Sequence, residues 1–221
     1  MRCFYIFAFL LLFNQVTAQD STFIPDINFE LALINLGIDD IQDYHVLTSN
    51  IDAITSLDIR NLSINNLEGI EDFSSLVILE CDSNNIVGSL DFTWNPFLSS
   101  LSCSDNQLSS LTLSANLSLS SLNCSYNNLS ALELSSNIAL IELSCKNNQL
   151  NSLNLKNGNN INITSFNCTN NASLFCIDVD DPEWSEATWT TFNGSIDTWN
   201  KFNLNCSTAF GCLDILACNY D

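Results

Sequence analysis

The sequence predicts a β-rich solenoid, a rod of stacked coils joined by parallel strands. Three observations carry the prediction. Leu, Asn and Ser supply 33, 32 and 29 of the 221 residues, a bias that signals internal repetition. The segments Leu57-Asp58-Ile59, Leu79-Glu80-Cys81, Leu101-Ser102-Cys103, Leu122-Asn123-Cys124, Leu143-Ser144-Cys145 and Phe166-Asn167-Cys168 begin 22, 22, 21, 21 and 23 residues apart. Five residues after the start of each comes Asn84, Asn106, Asn127, Asn148 or Asn171, with Leu62 in that place in the first unit.

Alternation in L-x-L points both Leu-type side chains to one face and the middle residue to the other. Two residues after the Asn position sits an aliphatic, Ile64, Ile86, Leu108, Leu129 or Leu150. Coils stacked at about 4.8 Å can pair as parallel strands. The recurring Asn belongs inside, where its two donors and its acceptor bridge backbone groups of successive turns. Asn84, Asn106, Asn127, Asn148 and Asn171 are therefore read as a structural ladder.

The unit L-x-[CL]-x-x-N-x-L resembles the consensus of leucine-rich repeat proteins. The first unit, Leu57 to Leu76 with Leu67-Glu68-Gly69-Ile70, is similar to internalin-type repeats. Later units resemble the repeats of secreted proteins from Bacteroidota bacteria. The resemblance implies a right-handed leucine-rich repeat coil with a short N-terminal helical cap and a C-terminal disulfide cap. By repeat it covers roughly residues 54 to 176, and more weakly both flanks.

Residues 1–18 read as a signal peptide: Arg2, an apolar run of 11 residues from Cys3 to Phe13, and Val16-Thr17-Ala18 before Gln19. That run is too short to span roughly 30 Å of hydrocarbon. The mature chain is expected to be secreted or on a bacterial cell surface, where disulfides persist. Residues 19–53 form the N-terminal cap. In it Ile24 to Gly37 reads as one amphipathic helix with Asp26 as N-cap and Gly37 as stop. The string Phe-Ile-Pro-Asp-x-Asn-Phe-Glu is similar to the cap of the Bacteroidota proteins.

Residues 54–175 hold about six turns. Each has a second half resembling the first: Leu90-Asp91-Phe92, Leu111-Thr112-Leu113, Leu132-Glu133-Leu134 and Leu153-Asn154-Leu155, the first three followed by Asn95, Asn116 and Asn137. Ser and Asn favour turns over helix interiors, so both sides of the coil are expected to be extended. Residues 176–206 form the C-terminal cap. There Cys176 to Pro182 breaks the period, and Asp181 with Pro182 starts a helix running to about Trp189. Trp184, Trp189, Phe192, Trp199 and Phe202 are expected to seal the last rung. Cys176 and Cys206 bracket this segment and are the expected disulfide. Cys212 and Cys218 are a second candidate pair. Residues 207–221 resemble the start of a Cys-containing tail motif of exported proteins, from which a fragment is expected, with a sorting or anchoring domain beyond Asp221.

The composition narrows the chemistry. Five Lys and Arg against 25 Asp and Glu give a net charge of −20, which excludes phosphate neutralisation of a nucleic acid. One His, His45, leaves no triad and no His-based metal site. Cys81, Cys103, Cys124, Cys145 and Cys168 share one internal column and read as core thiols. A single column offers a line of sulfurs, not a tetrahedron. Asp178, Asp180 and Asp181 are the only candidate calcium ligands, without an EF-hand-type loop, and no cofactor is expected. Nine Asn-x-Ser/Thr sequons, beginning at Asn61, follow from the Asn-rich repeat itself.

Asp58, Glu80, Ser102, Asn123, Ser144 and Asn167 face outward from the main sheet and are the candidate partner-binding row, with small polar neighbours on either side. Tyr126 and Trp94 are candidate rim anchors. The sequence is therefore read as a non-catalytic, monomeric extracellular module for protein recognition or adhesion, without a transmembrane segment. Its alternatives are a passive spacer in a larger surface protein and a glycan-binding module.

Overall fold

The computed structural model describes residues 20–209. The expected signal peptide and the Cys212/Cys218 pair lie outside the described residues. The chain opens with strand β1 (Ser21–Phe23), helix α1 (Ile27–Asn35), strand β2 (His45–Leu47) and a single helical turn, α2 (Thr48–Ile51). Coiling begins at β3 (Ser56–Asp58) and β4 (Ile78–Glu80), then alternates sides through β5 (Val87–Asp91), β6 (Ser100–Ser102), β7 (Gln107–Thr112) and β8 (Ser121–Asn123). It continues through β9 (Ala131–Glu133), β10 (Glu142–Ser144), β11 (Ser152–Asn154), β12 (Ser165–Asn167) and β13 (Cys176–Asp178). Helix α3 (Pro182–Thr188), strand β14 (Lys201–Asn203) and the short α4 (Cys206–Ala209) complete it.

One side of the coil is a six-stranded parallel sheet ordered β12-β10-β8-β6-β4-β3. Its register aligns Leu57, Leu79, Leu101, Leu122, Leu143 and Phe166 in one inward column. The other side carries the parallel pair β5-β7 and the parallel sheet β14-β13-β11-β9. No helix lines this second side: between the caps the described residues hold only the 3-10 turns Ile70–Asp72 and Asn160–Asn162. The result is a parallel-strand leucine-rich repeat coil of about seven turns.

Two turns close each coil, and each has its own Asn ladder. On the turn that leaves the main sheet, Asn127 Nδ2 donates to the carbonyls of Cys103, Cys124 and Ser125 at 3.0, 3.2 and 3.2 Å, while its Oδ1 accepts from Leu108 N at 2.9 Å. Asn84, Asn106, Asn148 and Asn171 repeat this pattern. The residue before each, from Ser83 to Asn170, has positive φ, which gives the chain the left-handed step that starts the turn. On the turn that returns to the sheet, Asn95, Asn116 and Asn137 are wholly buried. Asn116 Nδ2 donates to Phe92 O and Asn95 O at 3.2 and 2.8 Å.

The first coil is closed by the N-terminal cap. Asp26 caps α1 through Oδ1, accepting from Asn28 N and Phe29 N at 2.9 and 3.1 Å. Its Oδ2 accepts from Asn65 N and Asn66 N at 2.7 and 3.1 Å, so one carboxylate starts the helix and ties it to the first repeat. Phe29 stacks on Phe73 with ring centroids 6.2 Å apart. Glu30, fully buried, turns Oε1 to the backbone N–H groups of Asp43 and Tyr44. Gly69 (φ +98°) touches the cap so closely that a Cβ would lie 2.4 Å from Ile24 Cδ1 and 2.8 Å from Phe23 O, which only glycine permits.

At the far end the sequence-based expectation needs correction. Cys176–Asp178 does not break the coil: as β13 it pairs with β11 and β14, Ile177 lying against Leu153 and Phe202. The helix α3 is an insertion between two rungs that continue the second side. Trp189 packs on Phe166, Trp184 and Phe202 at 4.5, 5.4 and 5.8 Å, but Phe192 is 99 % exposed and Trp199 is exposed as well. Asn193 explains the difference, because it pins the turn beneath Phe192 with bonds to Thr188 O and Thr190 N at 2.8 and 3.0 Å. Cys176 and Cys206 form a disulfide, 30 residues apart in sequence. Closing that loop stabilises by about 3–4 kcal/mol in the chain-entropy account.

Candidate recognition face

The in-register main sheet sets the outward residues of β3, β4, β6, β8, β10 and β12 side by side. Asp58 pairs with Glu80, Glu80 with Ser102, Ser102 with Asn123, Asn123 with Ser144, and Ser144 with Asn167. At about 4.8 Å per strand the row is about 24 Å long. Asp58 is exposed and the other five are partly exposed.

The neighbours of the row are less uniform than alternation within L-x-L suggests. Alternation runs on past the strand and adds Arg60, Asp82, Ser104, Lys146 and Thr169 at the next outward position, while Ser125 in the same column is buried. The period-2 pattern that places Asp58 to Asn167 outward also places this second column, one step beyond the strand ends. Arg60 bonds Asp58 at 2.9 and 2.8 Å and reaches Glu80 at 3.1 Å. Its hydrogen bond holds the Asp58 carboxyl below the usual value of 3.8. Asp82 Oδ1 accepts from Ser102 Oγ, Ser104 N and Ser104 Oγ at 2.7, 2.7 and 2.6 Å. Ser125 and Ser144 share a hydrogen bond of 2.7 Å. One end of the face is therefore charged and the centre is a carpet of hydroxyl and amide groups.

The aromatic anchors fall on different turns. Tyr126 stands half-exposed on the turn that leaves the sheet, with Lys146 Nζ 5.3 Å from its ring centroid, within cation–π range. Trp94 stands on the returning turn, after β5, 70 % exposed.

Directly beneath the face run Cys81, Cys103, Cys124, Cys145 and Cys168, all buried and unbridged. Burial pushes the Cys124 thiol up to about 12 and raises the other four as well. At neutral pH they stay protonated and unreactive. Among the described residues no group of three or more His, Cys, Asp or Glu side chains converges as a metal site requires. Asp178, Asp180 and Asp181 instead accept backbone N–H groups of Cys206, Asn160 and Trp184. No described helix is long and apolar enough to cross a membrane.

No family model and no curated protein matches the chain. Among solved structures the chain is similar to the functional domain of InlJ from Listeria monocytogenes, which includes a cysteine ladder. The TM-score is 0.62 and the identity 29 %, over 74 % of this chain and 39 % of that one. It is similar in fold to the leucine-rich repeat ectodomain of the receptor kinase SOBIR1 from Arabidopsis thaliana, with TM-score 0.51 and 22 % identity over 61 % and 76 % of the two chains. The Leptospira interrogans leucine-rich repeat protein LIC12759 gives 0.50 and 17 % over 63 % and 36 %. The chain thus spans well under half of the InlJ domain.

Proposed function

We propose that the chain is a non-catalytic recognition module, secreted or carried on a bacterial cell surface of the Bacteroidota type, that binds a protein partner across its main sheet. The observation that carries this reading is the rigid six-strand row from Asp58 to Asn167, with Tyr126 and Lys146 rising beside its centre. A partner laid over that row meets pre-ordered polar groups, and Tyr supplies the contact type that dominates interface energetics. The likeness to InlJ and to a receptor ectodomain supports a surface role, as does a disulfide, which persists in oxidising compartments.

A glycan is the second reading, favoured by the run of Ser and Asn groups and by Tyr126 as a single stacking ring. The test is a panel of purified extracellular matrix proteins and a glycan array, probed with the chain and with a Tyr126→Ser/Lys146→Ser variant. A protein ligand lost at least tenfold by the double variant supports the reading. Binding to the array alone moves the assignment to glycans. No binding on either leaves a passive spacer.

A further inference from the structure

The returning turns carry a second surface, separate from the sheet face. Trp94 projects from the turn after β5, and two hollows open on either side of it. One, about 360 Å³, has Leu67, Ile70 and Leu90 on its floor and Glu68, Glu71 and Asp91 around it. The other, about 380 Å³, is lined by Asp52, Glu71, Asp72, Thr48 and Ser74. Trp94 and Glu71 line both and so stand between them. The ion pairs found among the described residues are those of Arg60 with Asp58 and Glu80, so no described cation neutralises these carboxylates. Beyond Trp94 the same turn of successive coils exposes Phe97, Leu117, Ile138 and Ile161, each between 53 and 67 % accessible.

We infer that this edge docks a basic segment of a partner protein, an Arg or Lys lying against the Trp94 indole. The chemistry fits at three points. An indole face attracts a guanidinium or ammonium group, most strongly when partly desolvated. The aliphatic stem of such a side chain suits a floor of Leu67, Ile70 and Leu90, leaving its head among Glu68, Glu71 and Asp91. The apolar stripe from Phe97 to Ile161 gives the rest of the segment a surface to cover, at about 4.8 Å per rung. An acidic or neutral segment would leave the carboxylates on both sides of the indole without a countercharge.

Fluorescence anisotropy of the full chain with a labelled (Arg-Gly-Leu)3 peptide tests the inference against general attraction to an acidic protein. The same peptide with citrulline in place of arginine keeps the shape and removes the charge. Trp94→Ser, and separately Glu68→Gln/Glu71→Gln/Asp91→Asn, are each expected to weaken the arginine peptide at least tenfold. Glu183→Gln/Glu186→Gln, on the exposed side of α3, is expected to leave it within twofold. The inference is overturned if the α3 control weakens binding as much as the triple variant, if Trp94→Ser binds normally, if the citrulline peptide binds equally well, or if the arginine peptide does not bind.

Discussion

The two turns of each coil are built from one sequence pattern, yet they solve the same problem differently. On the leaving turn every ladder Asn both donates to and accepts from the neighbouring coil's backbone, and a thiol sits three residues before it. On the returning turn Asn95, Asn116 and Asn137 donate twice each, but their Oδ1 atoms find no protein donor, and Phe92, Leu113 and Leu134 replace the thiols. The leaving turn presents polar residues such as Ser83, Asp105 and Asn147. The returning turn presents Phe97, Leu117, Ile138 and Ile161. A buried amide bonded at both ends fixes the spacing between coils tightly, because each unmade bond would cost the full desolvation of its group. The difference assigns register to the leaving turn and leaves the returning turn freer to carry exposed apolar side chains.

The largest effect expected from this division is alkaline unfolding that originates beneath the main sheet. In the unfolded chain the five thiols ionise near their ordinary value of 9.0, whereas Cys124 in the folded chain holds its proton to about 12 and the others are raised as well. Above pH 9 the unfolded state has therefore released protons that the folded state keeps, and stability falls as pH rises. It is unaffected below that range and finishes falling once the folded thiols ionise. Each thiol contributes about 1.4 kcal/mol per pH unit, so five together remove about 7 kcal/mol per unit. Urea midpoints at pH 7, 9 and 10 should drop steeply across the last step. Cys124→Ala/Cys145→Ala should flatten that slope. A midpoint that ignores pH, or a slope that the variant leaves unchanged, places the alkaline sensitivity elsewhere.

A paired substitution breaks or sharpens the comparison more directly. Asn127→Ala strands the Leu108 N–H and takes one of two donors from each of the Cys103, Cys124 and Ser125 carbonyls, and should cost about 1–3 kcal/mol. Asn116→Ala strands no N–H, leaves the Phe92 and Asn95 carbonyls one backbone donor each and removes a buried oxygen that had no protein donor, so its cost should be smaller by about 1 kcal/mol. Both are read as urea midpoints at pH 7. Equal costs would mean that the unbonded oxygens carry no penalty and that the two ladders do the same work.

The leaving turn and the main sheet were largely legible from the amino-acid sequence. Buried columns accept few residue types, so Leu57 to Phe166, the Cys column and Asn84 to Asn171 repeat visibly. The helix from Ile27 and the Cys176–Cys206 pairing followed from local signals, namely an Asp N-cap and two cysteines bracketing a segment. Surface positions carry no such constraint. Lys146 lies one alternation step past the strand, where nothing in the repeat marks it, although it meets Tyr126. Phe192 reads as core by its hydropathy, but a six-residue turn pinned by Asn193 holds it in solvent. Nothing in the repeat announced that Trp94 would stand between two acidic hollows, because Asp52, Glu71 and Asp91 come from the N-terminal cap and the first two coils.

The smallest expected effect lies at the charged end of the sheet face and tests whether that face is electrostatically tuned or merely polar. Arg60 is the strongest influence on Asp58, through a bidentate hydrogen bond. Arg60→Gln should return the Asp58 carboxyl toward 3.8 in a carboxyl-resolved NMR titration. The stability that Asp58 contributes is present above its unfolded pKa and is lost as pH falls through its lower folded value, so the variant should be slightly less stable at pH 7 and equal to the parent in strong acid. Both groups are well exposed and salt screens such pairs, so raising ionic strength should erase most of the stability difference while the register of Asp58, Glu80 and Ser102 holds. An Asp58 titration that Arg60→Gln leaves untouched would show that the pairing does not persist in solution, and the charged end would then present two free carboxylates and not a bridged trio.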